Sequence, residues 1–374
     1  MTSIDPAARA GAAAVRRHFD GVVLPHWHGV GFNADLHLPF EALAPREGGL
    51  PTALPPVRYR AMACARQLYV FTQADFDGAA THAKALFDAL QAVFRNVRHG
   101  GWHYSVDADG EPLDSTQDLY THAFVVFACA AYARRFDSAA ARELVWQASA
   151  TIEQAFARRD GLYHSGLDEG LASALGGPLQ NPIMHLTEAY LAARALFEGS
   201  DAERAGHYTQ RLRKLAAAVT ATFVVPENGC IAEKPVGEPD NRIEPGHQFE
   251  WFSLVAMAPG VFAATALPAS SERAYAYASR FGVSPATAGV CAALTLAGAM
   301  LDPAERIWAQ TEYLRALALK GQWSLLAFTL AQFQARFLHD AGWIEVIAAD
   351  GAPLRHDMPS TTPYHLSTAY QSLP

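Results

Sequence analysis

The stretch Glu244-Pro-Gly-His-Gln-Phe-Glu-Trp251 carries the reading of the whole chain. Pro245 and Gly246 suit a turn that enters a helix, and Glu244 then stands near the helix amino terminus, where negative charge is favoured. Within the helix His247 and Glu250 lie three residues apart and share a face. An imidazole beside a carboxylate at a helix mouth is a common way to build a proton-transfer site. A surface histidine with a capping acid gives the same local pattern, so recurrence has to decide between them.

The pattern does recur. Polar residues open helix-like runs at Arg66, His122, His185, His247, Trp308 (with Glu312) and His365, in steps of 56, 63, 62, 61 and 57. Glu188, Glu250 and Glu312 follow one another at 62 and 62. Apolar spacing predicts helices near 7–19, 58–76, 83–97, 116–135, 139–157, 183–197, 202–222, 246–258, 270–281, 303–319, 323–338 and 362–371. Gly101–Gly110 and Gly342–Gly351 each alternate and then turn at Asp-Gly, a hairpin signal. His26-Trp27-His28 reads as part of a loop reaching about Pro56.

Two helices in each period, six times over, make an internal repeat. An open solenoid would line a long concave face with apolar or variable residues. Large titratable residues at the matched positions suit convergence on one pocket instead. The expected fold is all-α: a closed (α/α)6 barrel of six helical hairpins, with short β-hairpins and loops at its mouth. No linker divides the chain, so residues 1–374 are expected to form one catalytic domain.

Composition narrows the function. Of 374 residues 51% are hydrophobic and 18% charged, with a net charge of −8. No basic stripe invites nucleic acid, and a small neutral substrate fits the balance best. Cys64, Cys129, Cys230 and Cys291 form no CxxC pair and read as buried free thiols. Met1-Thr-Ser-Ile-Asp5-Pro6 has no signal pattern, and the most apolar windows, 252–267 and 286–301, are too interrupted to span a membrane. A cytoplasmic protein is expected, and a homodimer if it assembles at all.

His185, His247, His365, Arg66, Glu188, Glu250 and Glu312 would meet at the barrel mouth. The His-x-x-Glu pairs resemble a helix-borne metal set, but di-iron bundles use the reverse order, and there is no HExxH, cysteine cluster or Asp-rich loop. No metal is expected. Nor is a nucleotide cofactor, since neither GxGxxG nor GxxxxGK[ST] occurs. Glycoside hydrolysis needs only two placed carboxylates and stays a competitor. The dominance of histidine points rather to moving a proton beside a carbonyl.

Several segments resemble the N-acylglucosamine 2-epimerase family: Ala65-Arg-Gln-Leu-Tyr-Val-Phe71, Gly100-Gly-Trp102, Asn181-Pro-Ile-Met-His-Leu-Thr-Glu188, Pro245–Trp251, Trp308-Ala-Gln-Thr-Glu312 and Pro363-Tyr-His365. Asp357–Tyr370 is most similar to the mannose isomerases of that family. The resemblance implies a metal-free sugar isomerase interconverting D-mannose and D-fructose through a cis-enediolate. A 2-epimerase of mannose/glucose, cellobiose or N-acylglucosamine type is the alternative. It further implies that His365 is the base at C2, that His247 is the second acid/base and serves ring opening, held by Glu250, and that Arg66 steadies the enediolate. His185 and Asn181 would bind hydroxyls, with Tyr120 and Trp308 as walls. Trp308, Tyr120 and Glu188 also admit purely structural readings. His122 and Arg242 receive no role.

Overall fold

The computed structural model describes residues 3–46 and 48–374, so the first two residues of the amino-terminal stretch lie outside the described residues. Twelve main helices alternate between two rings. Outer helices are α1 Pro6–His18, α3 Ala79–Ala92, α5 Ala139–Thr151, α7 Ala202–Phe223, α9 Leu267–Phe281 and α11 Trp323–Phe337. Inner helices are α2 Ala61–Gln73, α4 Leu119–Phe136, α6 Gln180–Phe197, α8 Pro245–Met257, α10 Ile307–Leu319 and α12 Thr362–Ser372. Each inner helix packs on the next, and α12 packs on α2, which closes the ring. The (α/α)6 barrel read from the sequence is the observed fold.

Burial follows the two rings. In α7 the buried Tyr208, Leu212, Leu215, Ala216, Val219 and Phe223 make one stripe at helical spacing, the mark of a helix with one wet face. In α8 every residue from Pro245 to Val255 is buried, as expected of a helix enclosed on all sides. Asp5, Ser138 and Asp201 cap α1, α5 and α7 through their side chains, each accepting from a backbone N–H of the first turn.

Short antiparallel strands gather at the amino ends of the inner helices. Tyr59–Arg60, Gln117–Asp118 and Met300–Arg306 each run straight into α2, α4 and α10. The hairpin anticipated at Gly101–Gly110 pairs Ser105–Val106 with Pro112–Asp114, and Gly110 takes a φ of +88° in the turn. Asp107 Oδ1 accepts from the amides of Asp109 and Glu111, which fixes that turn. Val346–Ile347 pairs with Pro353–Arg355 around Gly351 in the matching place.

Two local expectations differ. His26-Trp27-His28 is helical, because a π turn at Phe19–Val23 carries α1 onward into Leu24–His28. The widened turn relieves the clash that Pro25 would otherwise make with the preceding carbonyls. The predicted run 303–319 begins as strand and turns helical only at Ile307.

The sixth hairpin is split: its outer helix is α1 and its inner helix α12. Arg16 joins them, donating to the carbonyls of Tyr370 (3.2 and 2.9 Å), Leu373 (2.7 Å) and Pro374 (3.0 Å). A cation on the open carbonyls of a helix end satisfies both partners. All four cysteines are buried and free. Among the described residues no helix is long and apolar enough to cross a membrane. Replacing Arg16 by Met should cost about 2–3 kcal/mol in urea unfolding and speed amide exchange in α12 before the other inner helices.

Candidate active site

Position along each inner helix sorts the site into layers. The sixth residues of α2, α4, α6, α8, α10 and α12 are Arg66, Phe124, His185, Glu250, Glu312 and Ser367. Nearer the mouth stand Tyr120, Asn181 and Trp308 at second positions, His247 at a third and His365 at a fourth. One layer deeper, the ninth residues include Glu188 and Arg315. Three residues rise about 4.5 Å, so the layers stack directly.

These residues enclose a polar cavity of about 290 Å³, lined by Arg66, Tyr120, Asn181, His185, His247, Glu250, Trp308 and His365. Glu233, Arg242, Glu244 and Arg306 complete it. Of the predicted site residues, eight of nine line this space. Glu188 lies beneath it, where its carboxylate accepts from Tyr364 OH and lies 3.3 Å from His185 Nδ1. A larger cavity of about 660 Å³ opens at the other end of the barrel, beside Phe19, Phe76 and Tyr370, away from these groups.

His247 is held differently from the expectation. Its Nδ1 lies 2.7 Å from Glu233 Oε1, a residue the sequence reading did not single out. Glu250, expected to hold it, is out of hydrogen-bond reach of His247, and its nearest histidine contact is to His185 Nδ1, at 3.7 Å. The reason is geometric: Glu250 sits one layer below His247, whereas Glu233 reaches in from the loop ahead of α8. Burial works against a charge on His247, but Glu233, with Glu244 and Glu250, outweighs it and raises the pKa to about 9.

His365 is the opposite case. Its Nδ1 lies 3.2 Å from Glu312 Oε1, which is paired through Oε2 with buried Arg315 at 3.3 Å. Burial, then the Arg66 guanidinium, drive its pKa well below the ordinary value. Both histidines lie beside Trp308, with ring centroids 4.8 Å (His247) and 5.6 Å (His365) from it. Burial likewise lowers His185 to about 4. Burial and the neighbouring Glu312 and Glu188 push Glu250 well above the carboxylate range.

Arg66 Nη2 donates to Tyr120 OH at 2.6 Å, and its guanidinium lies over the rings of Phe124 (4.3 Å) and Tyr364 (4.8 Å). Its Nε, Asn181 Oδ1 and both Glu250 oxygens are buried without a partner among the described residues. His122 is elsewhere. Two residues beyond Tyr120, it points away from the cavity, its Nδ1 on Asp118 O at 2.8 Å and its ring against Trp102. Arg242 binds Glu244 Oε1 through Nε (3.0 Å) and Nη2 (2.6 Å), so it serves the rim.

Gly246 is helical, not the turn residue expected. A Cβ there would lie 2.7 Å from the Trp308 ring and 2.8 Å from Ala309 Cβ. Glycine is needed because α8 and α10 approach closely at this level, and that approach sets Trp308 beside both histidines.

Three trios bring ligand-type atoms within 4.8 Å of one another: His185/Glu188/Glu250, Glu233/Glu244/His247 and Glu250/Glu312/His365. Their atoms are largely committed already. Tyr364 answers Glu188, Arg315 answers Glu312, His247 answers Glu233, and Arg242 answers Glu244. A divalent ion would have to displace these partners, so the trios fit proton sharing better.

Two outcomes follow from this geometry. Gly246→Ala should cost about 1–3 kcal/mol of stability, and should alter Trp308 fluorescence as the ring is pushed aside. Since the folded pKa of His247 is raised, its contribution to stability is full below about 6.5 and is lost as pH climbs through about 9. Urea unfolding of the wild type should therefore weaken across that window relative to His247→Gln.

The comparisons with known proteins bear on the family and the fold. The chain is 28% identical over 342 residues to the mannose-6-phosphate isomerase of Rhizobium meliloti (strain 1021), covering 82% of this chain and 84% of the relative. It is 38% identical over 124 residues to the D-mannose isomerase of Thermobifida fusca, covering 30% of this chain and 28% of that one. The cellobiose 2-epimerase of Spirochaeta thermophila DSM 6192 superposes with a TM-score of 0.84 at 18% identity, over 100% of this chain and 98% of that one, which speaks for the fold. The N-acylglucosamine 2-epimerase (GlcNAc 2-epimerase) profile matches residues 51–369, and the chain therefore belongs to that family of sugar epimerases and isomerases.

Proposed function

We propose that the protein is an aldose–ketose isomerase that interconverts D-mannose and D-fructose, without a metal, within one catalytic domain. The observation that carries this reading is a pair of histidines, His247 on Glu233 and His365 on the Arg315-paired Glu312, both beside Trp308 in a cavity whose buried polar atoms lack partners among the described residues. Unpartnered buried donors and acceptors need an explanation, and the hydroxyls of a sugar would satisfy them. The cavity of about 290 Å³ is at the small end for ligand sites, suited to a single sugar ring. Two relatives named for mannose isomerisation, one acting on the 6-phosphate, support the choice of sugar.

The chemistry divides between the histidines. In ring opening His247 supplies a proton to the ring oxygen and recovers one from the anomeric hydroxyl. Neutral His365 then takes the C2 hydrogen as a proton. The C2–H electron pair becomes the C1–C2 double bond, and the carbonyl pair moves onto O1, where Arg66 offsets the charge. The O2 proton passes to O1, and the proton on His365 returns to C1, leaving C2 as the ketone. Asn181, His185 and Glu250 bind hydroxyls, Glu188 orients His185, and Tyr120 and Trp308 wall the ring.

Incubation with D-mannose, with chelator present, tests the reading directly. Fructose is expected, and His365→Ala should lower kcat/KM by at least about a thousandfold. Glucose in place of fructose would transfer the assignment to a 2-epimerase. Turnover of mannose 6-phosphate alone would move the substrate to the phosphate ester, and loss of activity to the chelator would overturn the metal-free mechanism.

A further inference from the structure

We propose that the group standing behind each carboxylate decides which histidine is acid and which is base, so that Gln180 and Trp251 are positioning residues for His247 and Arg315 is one for His365. This rests on the reading of the cavity as a proton-transfer site.

Both histidines present Nδ1 to a glutamate, Glu233 for His247 and Glu312 for His365. The difference lies one residue further back. Beside Glu233 stands an uncharged amide: Gln180 Nε2 lies 3.0 Å from each Glu233 oxygen and 2.9 Å from His247 Nδ1. The orientation of that amide is fixed, because Trp251 Nε1, which can only donate, lies 2.8 Å from Gln180 Oε1. The amide NH2 must then face Glu233. A proton must also lie between Glu233 Oε1 and His247 Nδ1, since two acceptors would not rest at 2.7 Å. With that proton on Nδ1, the Gln180 amide beside it gives its hydrogens to the Glu233 oxygens, and the charge of Glu233 is left to serve the imidazolium.

Behind Glu312 stands a guanidinium. Arg315 Nη1 lies 3.3 Å from Glu312 Oε2, is buried, and has its Nε unpartnered among the described residues. The charge of Glu312 is answered there; Arg66 from α2 opposes a charge on His365 more strongly than Glu188 from the deeper layer favours it, and His247 opposes it too, so a proton on His365 gains little. Other groups around His247 do not reverse the contrast. Glu244 Oε2 lies 3.8 Å away and Glu250 lies one layer below, both favouring charge. Arg242 reaches His247 chiefly through Glu244, which it hydrogen-bonds, and more weakly through Glu233; Arg306 acts through Glu244, and His365 lies beside Trp308.

The test follows the ring signals of both histidines by NMR against pH, assigned by their loss in His247→Gln and His365→Gln. It needs no substrate. In the wild type His247 should titrate near pH 9, and His365 should stay neutral through the accessible acid range. Gln180→Met and Trp251→Phe should each lower the His247 midpoint by at least one pH unit and leave His365 unmoved. Arg315→Met should bring His365 into the measurable range and leave His247 in place. Trp251 and Arg315 do not line the cavity, so a merely structural role would lower Tm in these variants without moving either midpoint. The proposal is overturned if His247 titrates at or below about 6.5 in the wild type, or if both Gln180→Met and Trp251→Phe leave its midpoint unchanged. A protein that titrates as expected yet makes no fructose from mannose would lose the isomerase reading and keep this one.

Discussion

Six helix amino termini pointing at one small space are the constraint on which the rest depends. Each brings a positive dipole end and unpaired N–H groups, and the same space also receives Arg66 from the second turn of α2 and His247 from the first turn of α8. An inner ring of this kind would repel itself if nothing answered it. The buried glutamates answer it: Glu244 at the start of α8, Glu233 from the loop before it, Glu312 in the sixth-residue layer and Glu188 beneath. Arg315 then keeps those deep carboxylates from repelling one another. Such a network is not a cheap way to stabilise a barrel, since well-packed apolar residues would often do as well. Under the proposed function, its presence is explained by the proton transfer it would hold in place.

The fold was legible because the ring forces one unit to recur. Every inner helix must reach the mouth in the same orientation, so chemistry reappears once per hairpin. The recurrence counts residues, however, while the barrel counts helix positions. Glu188, Glu250 and Glu312 are evenly spaced along the chain, yet α6 and α8 begin 65 residues apart and α8 and α10 only 62. A difference of three residues is one layer, and Glu188 accordingly lies a layer deeper. His122 was drawn into the series in the same way, when Tyr120 is the residue of α4 that faces inward.

What the sequence did not yield lies off the repeat. Glu233 sits in an irregular loop fourteen residues before His247, in a segment with no periodicity to read, and only the folded loop brings it to Nδ1. Gln180 reads as an ordinary polar residue ahead of a helix until Trp251 fixes its amide. Gly246 shows the converse: its presence was noticed and its reason mistaken. A glycine after proline suggests a turn, whereas here its missing side chain makes room for Trp308. Close approach between two helices distant in sequence leaves no local trace.

The split sixth hairpin has a consequence for how such a molecule comes into being. During synthesis α1 emerges first and waits, its partner α12 being the last inner helix made. Until then five hairpins form an open crescent, with the walls of the future cavity and their half-matched charges facing water. His365 and the helix that seals the ring arrive together, so the proposed base joins the cavity in the same event that shuts the circle. A chain without α12 leaves a seam exposed, the kind of surface that makes folding intermediates prone to aggregate.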